Sequence, residues 1–253
     1  MKPIRIRGKT ARFPLVCAPL VGADREALLA EAAAALAAGA DIVEWRVDHF
    51  SAIGHPDTVI ATGRALRRAL PGMPLLFTRR SVAEGGQPVP VSEGEIVEVY
   101  AAVCADGFAD LVDYEMSSVA RNMKAVREVS RRHGVGLVCS YHDFERTPPM
   151  DALAAQFRRA QELGGDVAKV SVMARGAGDA LTLLAATLQA SQTLELPLIG
   201  VSMGPHGALS RMVGFAFGSA LTFGVAAGSS APGQMPIGEL RAAIEIARKA
   251  LGG

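Results

Sequence analysis

Aromatic residues are few, with one Trp, three Tyr and nine Phe among 253 residues, and nowhere do they interleave with a basic block. A net charge of +1 supplies no polycation for phosphate, so nucleic acid and anionic membrane are poor partners. No apolar run approaches the roughly 20 residues needed to cross a bilayer, and the start MKPIRIRGKTARF is too polar for a secretory leader. Cysteine is scarcer still: Cys17, Cys104 and Cys139 are odd in number, far apart and set among apolar neighbours. That pattern fits buried small hydrophobes in a reducing compartment rather than a disulfide frame or a metal site. The cytoplasm is the expected location. No Pro/Ser-rich linker or shift in composition divides the chain, so one domain is expected over residues 1–253.

What is present is apolar surface and a repeat. Half the residues are hydrophobic, enough for a sizeable core. A strand followed by an amphipathic helix recurs along the chain. The strands are read at FPLVCAPLVG, DIVEWRVDHF, PLLFTRRS, DLVDYEMS, GLVCSYHDF, DVAKVSVMA, LPLIGVSMG and ALTFGVAAG. Helical stretches such as DREALLAEAAAALAAG and SVARNMKAVREVSRRHG lie between them. Ser92 and Glu95 have the spacing of a capping box. Gly39, Gly107, Gly134 and Gly164 stand where helices must stop in a left-handed turn. Eight such repeats predict a (β/α)8 barrel. An open doubly wound sheet would need a glycine fingerprint after its first strand, and PLVGADREA offers one glycine. Alternation of Ile4, Arg5, Ile6 and Arg7 before Gly8 predicts an amino-terminal hairpin plugging the lower end of the barrel.

In this fold the working groups sit at the carboxyl ends of the strands. Period-two alternation puts Glu44, Arg46 and Asp48 of VEWRVD on one face, and Arg79 and Arg80 on opposite faces. Lys169 sits in the middle of the apolar strand GGDVAKVSVMA, where an ammonium is costly unless paired and a neutral amine is a nucleophile. The bland reading is a buried ion pair to Glu44 or Glu115. Flanking arginines favour activation instead. His142 closes the neighbouring strand, whereas His49, His55 and His133 fall in or beside loops and helix ends. Arg46 and Asp48 as a structural pair, and AEGG and APGQ as ordinary turns, are the competing readings. The convergence of arginines, carboxylates, one histidine and one lysine on one mouth carries the signal.

Taken together, VEWRVD, TRRSVAEGG, SYHDF, AKVSVM, SMGPHGALSR and SSAPGQ resemble the motifs of type I 3-dehydroquinate dehydratases in kind and order, over essentially the whole chain. The resemblance implies a (β/α)8 barrel, usually dimeric, that converts 3-dehydroquinate to 3-dehydroshikimate without metal or organic cofactor. It further implies Lys169 as the Schiff-base lysine, His142 as general acid/base and Glu84 as the carboxylate that orients the histidine. Glu44, Arg46 and Arg80 are then the groups that hold ring hydroxyls, and Arg211 grips the substrate carboxylate. Ser230 and Gln234 belong to a closing loop. Arg80 rather than Arg79 takes the binding role because the T-x-R spacing runs from Thr78. The rival expectations are a Schiff-base aldolase on the same fold and a non-catalytic barrel that binds a hydroxy acid.

Overall fold

The structure, a computed structural model, describes residues 2–6, 9–10 and 14–252. It opens with a hairpin in which β1 (Arg5–Ile6) pairs antiparallel with β2 (Lys9–Thr10); Arg7 and Gly8, the expected turn, lie outside the described residues. Eight parallel strands follow: β3 (Leu15–Leu20), β4 (Ile42–Arg46), β5 (Leu75–Thr78), β6 (Leu111–Glu115), β7 (Gly136–Asp143), β8 (Val167–Met173), β9 (Leu198–Met203) and β10 (Leu221–Phe223). Their order is β10-β3-β4-β5-β6-β7-β8-β9. The ring closes between the last two strands through a bridge from Leu198 to Ser219 and a 2.7 Å bond from the Ala220 amide to the Leu198 carbonyl.

Among the described residues the α-helices are α1 (Arg25–Ala37), α2 (Pro56–Ala69), α3 (Glu93–Asp106), α4 (Ala120–Arg132), α5 (Met150–Glu162), α6 (Ala177–Thr193), α7 (Ala208–Val213) and α8 (Ile237–Ala250). Each expected stop glycine is left-handed, with φ between 67° and 78°, where a Cβ would be strained. The capping box forms at α3: the Glu95 amide donates to Ser92 Oγ, and the Ser92 amide donates to the Glu95 carboxylate.

Period two sorts the strand residues onto two faces. Val43, Trp45 and Val47, like Ala168, Val170 and Val172, point outward into the main core against the helices. The inward residues at the strand starts, among them Ile42, Leu76, Leu111, Val138, Val167 and Ile199, make a second cluster that also contains Ile4 and Ile6. The hairpin therefore seals the lower end of the barrel, as its alternation predicts. One step up on β4 to β8, the inward position is polar or reactive: Glu44, Thr78, Asp113, Ser140 and Lys169, all buried. This layer is the floor of the site.

Candidate active site

The isolated lysine of the sequence has company. Lys169 is 4% exposed, and its Nζ lies 3.3 Å from Glu44 Oε1 and 3.0 Å from Asp113 Oδ2, over the Phe223 ring at 4.8 Å. Val170 and Val172 point to the other face, while Val167 lies below it on the same inward face. Two points are corrected. The second ion-pair partner is Asp113 and not Glu115, which instead accepts from Arg80 and the Ser81 amide. The amine is also buried with two carboxylates rather than alone, because alternation on β4 and β6 aims acids at the same interior layer. Both carboxylates accept from Nζ, and Glu44, which faces the cavity, stands close enough to exchange a proton with it.

His142 is the penultimate residue of β7, beside the lysine strand, with Ser140 opposite Lys169 in the register. Its Nδ1 lies 2.9 Å from Glu84 Oε2, and its own amide donates to the same oxygen at 3.0 Å. An acceptor there fixes the ring proton on Nδ1 and leaves Nε2 for the cavity. Ser117 Oγ donates to the other oxygen of Glu84 at 2.5 Å. Glu84 is delivered by a short 3-10 turn (Val82–Glu84) that Ser81 caps, ending in left-handed Gly85. Burial, reinforced by Glu115, pushes the Glu84 carboxyl up to about 7, while Arg80 and Ser117 act the other way. Burial and then the charges of Arg80, Lys169 and Arg46 hold His142 well below the usual imidazole range.

Burial and cations oppose the imidazolium of His142, so the neutral ring persists below 6.5, and its contribution to stability is full above that value and drains away beneath it. At about pH 6, where a free imidazole is mostly protonated, the ring nitrogens of His142 are expected to give the NMR shifts of a neutral ring. An imidazolium signature at that pH would contradict the geometry.

The arginines divide as alternation requires. Arg79 points out to Glu93 of α3, and its amide donates to Tyr100 Oη at 2.9 Å. Arg80 points in. It donates to Asp113 at 2.7 Å, Ser140 Oγ at 2.9 Å and Glu115 at 3.1 Å. Burial alone would lower its proton affinity, but Asp113, Glu115 and Glu84 outweigh it and raise it. Arg46 is gripped by Asp48 through two bonds of 2.9 and 2.8 Å, the structural pair considered above, yet it also lines the cavity. Asp48 further accepts from the amides of Arg80 and Gln87, tying the strand ends together.

Arg211, on α7, differs from both. It is 2% exposed, has no carboxylate partner among the described residues, and leaves its Nε without a hydrogen bond there; a bond of 3.0 Å reaches the Pro232 carbonyl. Burial lowers its affinity for the proton to about 10. An uncompensated guanidinium inside a protein is a site waiting for an anion. Over it lies the loop 226–236, where Ser230 and Gln234 bond to each other. Its Gly233, at φ 78°, passes so close that a Cβ would stand 2.4 Å from the Gly204 carbonyl oxygen.

All nine site residues singled out in the sequence line one cavity: Glu44, Arg46, Arg80, Glu84, His142, Lys169, Arg211, Ser230 and Gln234. Sequence reasoning missed Asp113, Ser117, Phe144, Ser171, Met203 and Phe223. Phe144 stacks on the His142 ring, with centroids 6.4 Å apart. Asp113 was findable, since it alternates with Glu115 on the inward face of β6. Phe144, Met203 and Phe223 carry no chemistry that distinguishes them from core residues.

Comparison with known proteins gives the same picture. Residues 16–250 match the model of the family described as type I 3-dehydroquinase. The 3-dehydroquinate dehydratase of Albidiferax ferrireducens is 48% identical over 254 residues, covering 99% of this chain and 96% of its own. That of Aromatoleum aromaticum is 44% identical over 240 residues, covering 95% and 92%. The crystal structure of 3-dehydroquinate dehydratase from Geobacillus kaustophilus superposes with a TM-score of 0.95 at 42% identity, over 98% of this chain and 97% of that one. The type I enzyme from Clostridium difficile, solved with covalent modified comenic acid, gives 0.93 at 34% identity, over 99% and 100%. With a family model spanning most of its length and relatives this similar over nearly all of it, the chain belongs to the type I 3-dehydroquinase family.

Proposed function

We propose that the chain dehydrates 3-dehydroquinate to 3-dehydroshikimate, a hydro-lyase step of the shikimate pathway, through an imine on Lys169. The observation that carries this reading is one cavity holding a lysine amine, an imidazole with Nε2 available, and a buried guanidinium without a carboxylate. The substrate has a ketone, a carboxylate and hydroxyls, and each finds a partner. Arg211 takes the carboxylate through paired hydrogen bonds. Glu44, Arg46 and the remaining reach of Arg80 take the hydroxyls. Ser230 and Gln234 close the loop over the bound ring and exclude water.

Lys169, once it has given a proton to a neighbouring carboxylate, adds to the ketone carbon. Loss of the carbonyl oxygen as water leaves a protonated imine, the electron sink of the reaction. His142 Nε2 removes the proton from the carbon between the imine and the tertiary alcohol, and the electron pair moves toward nitrogen. Collapse of the resulting enamine expels the hydroxyl, which leaves as water with the proton from His142. One imidazole serving both steps favours a syn elimination. Hydrolysis of the conjugated imine releases product and frees Nζ. Glu84 keeps the ring proton on Nδ1 throughout. The chain works as one catalytic domain over residues 1–253, as a cytoplasmic homodimer. Its three free, buried cysteines support a reducing compartment, and among the described residues no helix is long and apolar enough to cross a membrane.

Mixing the protein with 3-dehydroquinate and following the conjugated enone of the product tests the reading; no rise in enone absorbance contradicts it. Arg211→Met separates binding from folding. Its KM is expected to rise by about 100-fold, since paired charge-assisted bonds are worth roughly 3 kcal/mol. Its Tm is expected to increase, because the unpaired guanidinium is a burden on the fold. An unchanged KM would remove Arg211 from the binding site.

A further inference from the structure

Two carboxylates meet Lys169 Nζ, and they are not equivalent. Glu44 lines the cavity, where a bound substrate competes for it. Asp113 lies beneath the lysine, fully buried and outside the cavity lining. Its Oδ1 accepts from Arg80 Nη2 at 2.7 Å and from Ser140 Oγ at 2.6 Å, while Oδ2 accepts from Nζ at 3.0 Å. One oxygen is anchored and the other is aimed at the reacting nitrogen. Burial raises the Asp113 carboxyl, but Arg80 and then Lys169 outweigh it and bring it down to about 2. It is a poor proton acceptor and a permanent anion.

Resting on the imine reading above, we infer that Asp113 is a further catalytic residue, the fixed counterion that holds positive charge on Nζ through the covalent cycle. The nitrogen is cationic as an ammonium, and cationic again once the N–C bond has formed and the ketone oxygen has left as water. An imine withdraws electrons strongly only while it keeps its proton. The carboxylate that substrate cannot reach is present at every one of these stages, whereas Glu44 is drawn toward hydroxyls. Nearby charge comes from Glu44 on β4, Glu115 on β6 itself, and Arg80 and Glu84 beyond β5. From the remaining elements face groups held uncharged by burial: His142 and Cys139 on β7, Cys17 on β3 and Tyr100 on α3. Arg80 is committed to Asp113, Ser140 and Glu115, so no free cation replaces the lysine as the partner of Oδ2.

The test is Asp113→Asn in the full chain, which keeps the volume, removes the charge and turns one acceptor oxygen into an amide donor. The basic limb of kcat, where the imine loses its proton, is expected to move to lower pH by about 1–3 units, the effect of one opposite charge at this distance. The kcat is expected to fall about 10-fold or more, with KM little changed because cavity-lining groups set it. Borohydride trapping of the 3-dehydroquinate imine should drop at about pH 9 and recover at about pH 7. A reduced kcat with an unmoved limb and pH-independent trapping overturns the proposal and leaves Asp113 a structural ion pair. If the asparagine variant does not fold, Asp113→Glu decides: the limb is expected at its wild-type position, and a displaced limb overturns the counterion role. Wild-type protein that is never trapped overturns the imine reading itself, and this one with it.

Discussion

Lys169→Met is expected to lower kcat by about 10,000-fold or more, the scale on which enzymes respond to loss of a covalent nucleophile. Methionine matches the lysine in length and flexibility, so the strand and its outward valines are undisturbed. The fold does pay for the change. Glu44 and Asp113 lose the ammonium they share, and breaking a buried pair from one side costs about 3–5 kcal/mol. Other bonds limit the loss, since Asp113 keeps Arg80 and Ser140, and Glu44 keeps the Thr78 hydroxyl at 3.0 Å. A folded, less stable and inactive protein is expected, with kcat read in the enone assay and Tm by thermal melting. The apolar neighbours alone predict no stability cost, and the carboxylates change that expectation. Near-normal turnover would refute the role of Lys169.

His142→Ala is expected to lower kcat by about 100- to 10,000-fold, the range for a positioned acid–base group. Its second expected property is more telling: Lys169 still condenses with substrate, so a borohydride-stable adduct accumulates while product does not. Removal of the ring leaves Glu84 with Ser117 and the backbone amide at position 142, so the short turn that carries it keeps its anchors. If the variant forms no adduct, the imidazole is needed to make the imine and acts earlier than the elimination.

Much of this site is legible in the sequence, for one physical reason. In a strand, residues two apart share a face, and in a barrel one face is the interior. That rule alone sends Arg80 inward and Arg79 outward to Glu93, puts Glu44 and Arg46 on one face, and turns Lys169 away from Val170 and Val172. The same rule, applied to Ile4 and Ile6, seals the lower end. What it leaves dark is which inward residues meet across the barrel. Asp113 and Glu115 are both inward on β6, and closure of the ring decides that Asp113 reaches Lys169 while Glu115 reaches Arg80. Backbone acceptors are equally silent in a sequence. The carbonyls of Ser230 and Pro232, which receive Arg46 and Arg211, lie within SSAPGQ, yet no side chain of that motif marks them as acceptors.

The most direct test of the central claim is the intact mass of wild-type protein reduced with borohydride in the presence of 3-dehydroquinate. A stable increase confined to the peptide containing Lys169, absent without ligand and absent in Lys169→Met, is the expected result. Full enone production with no mass gain, or a gain carried by another lysine, would contradict it.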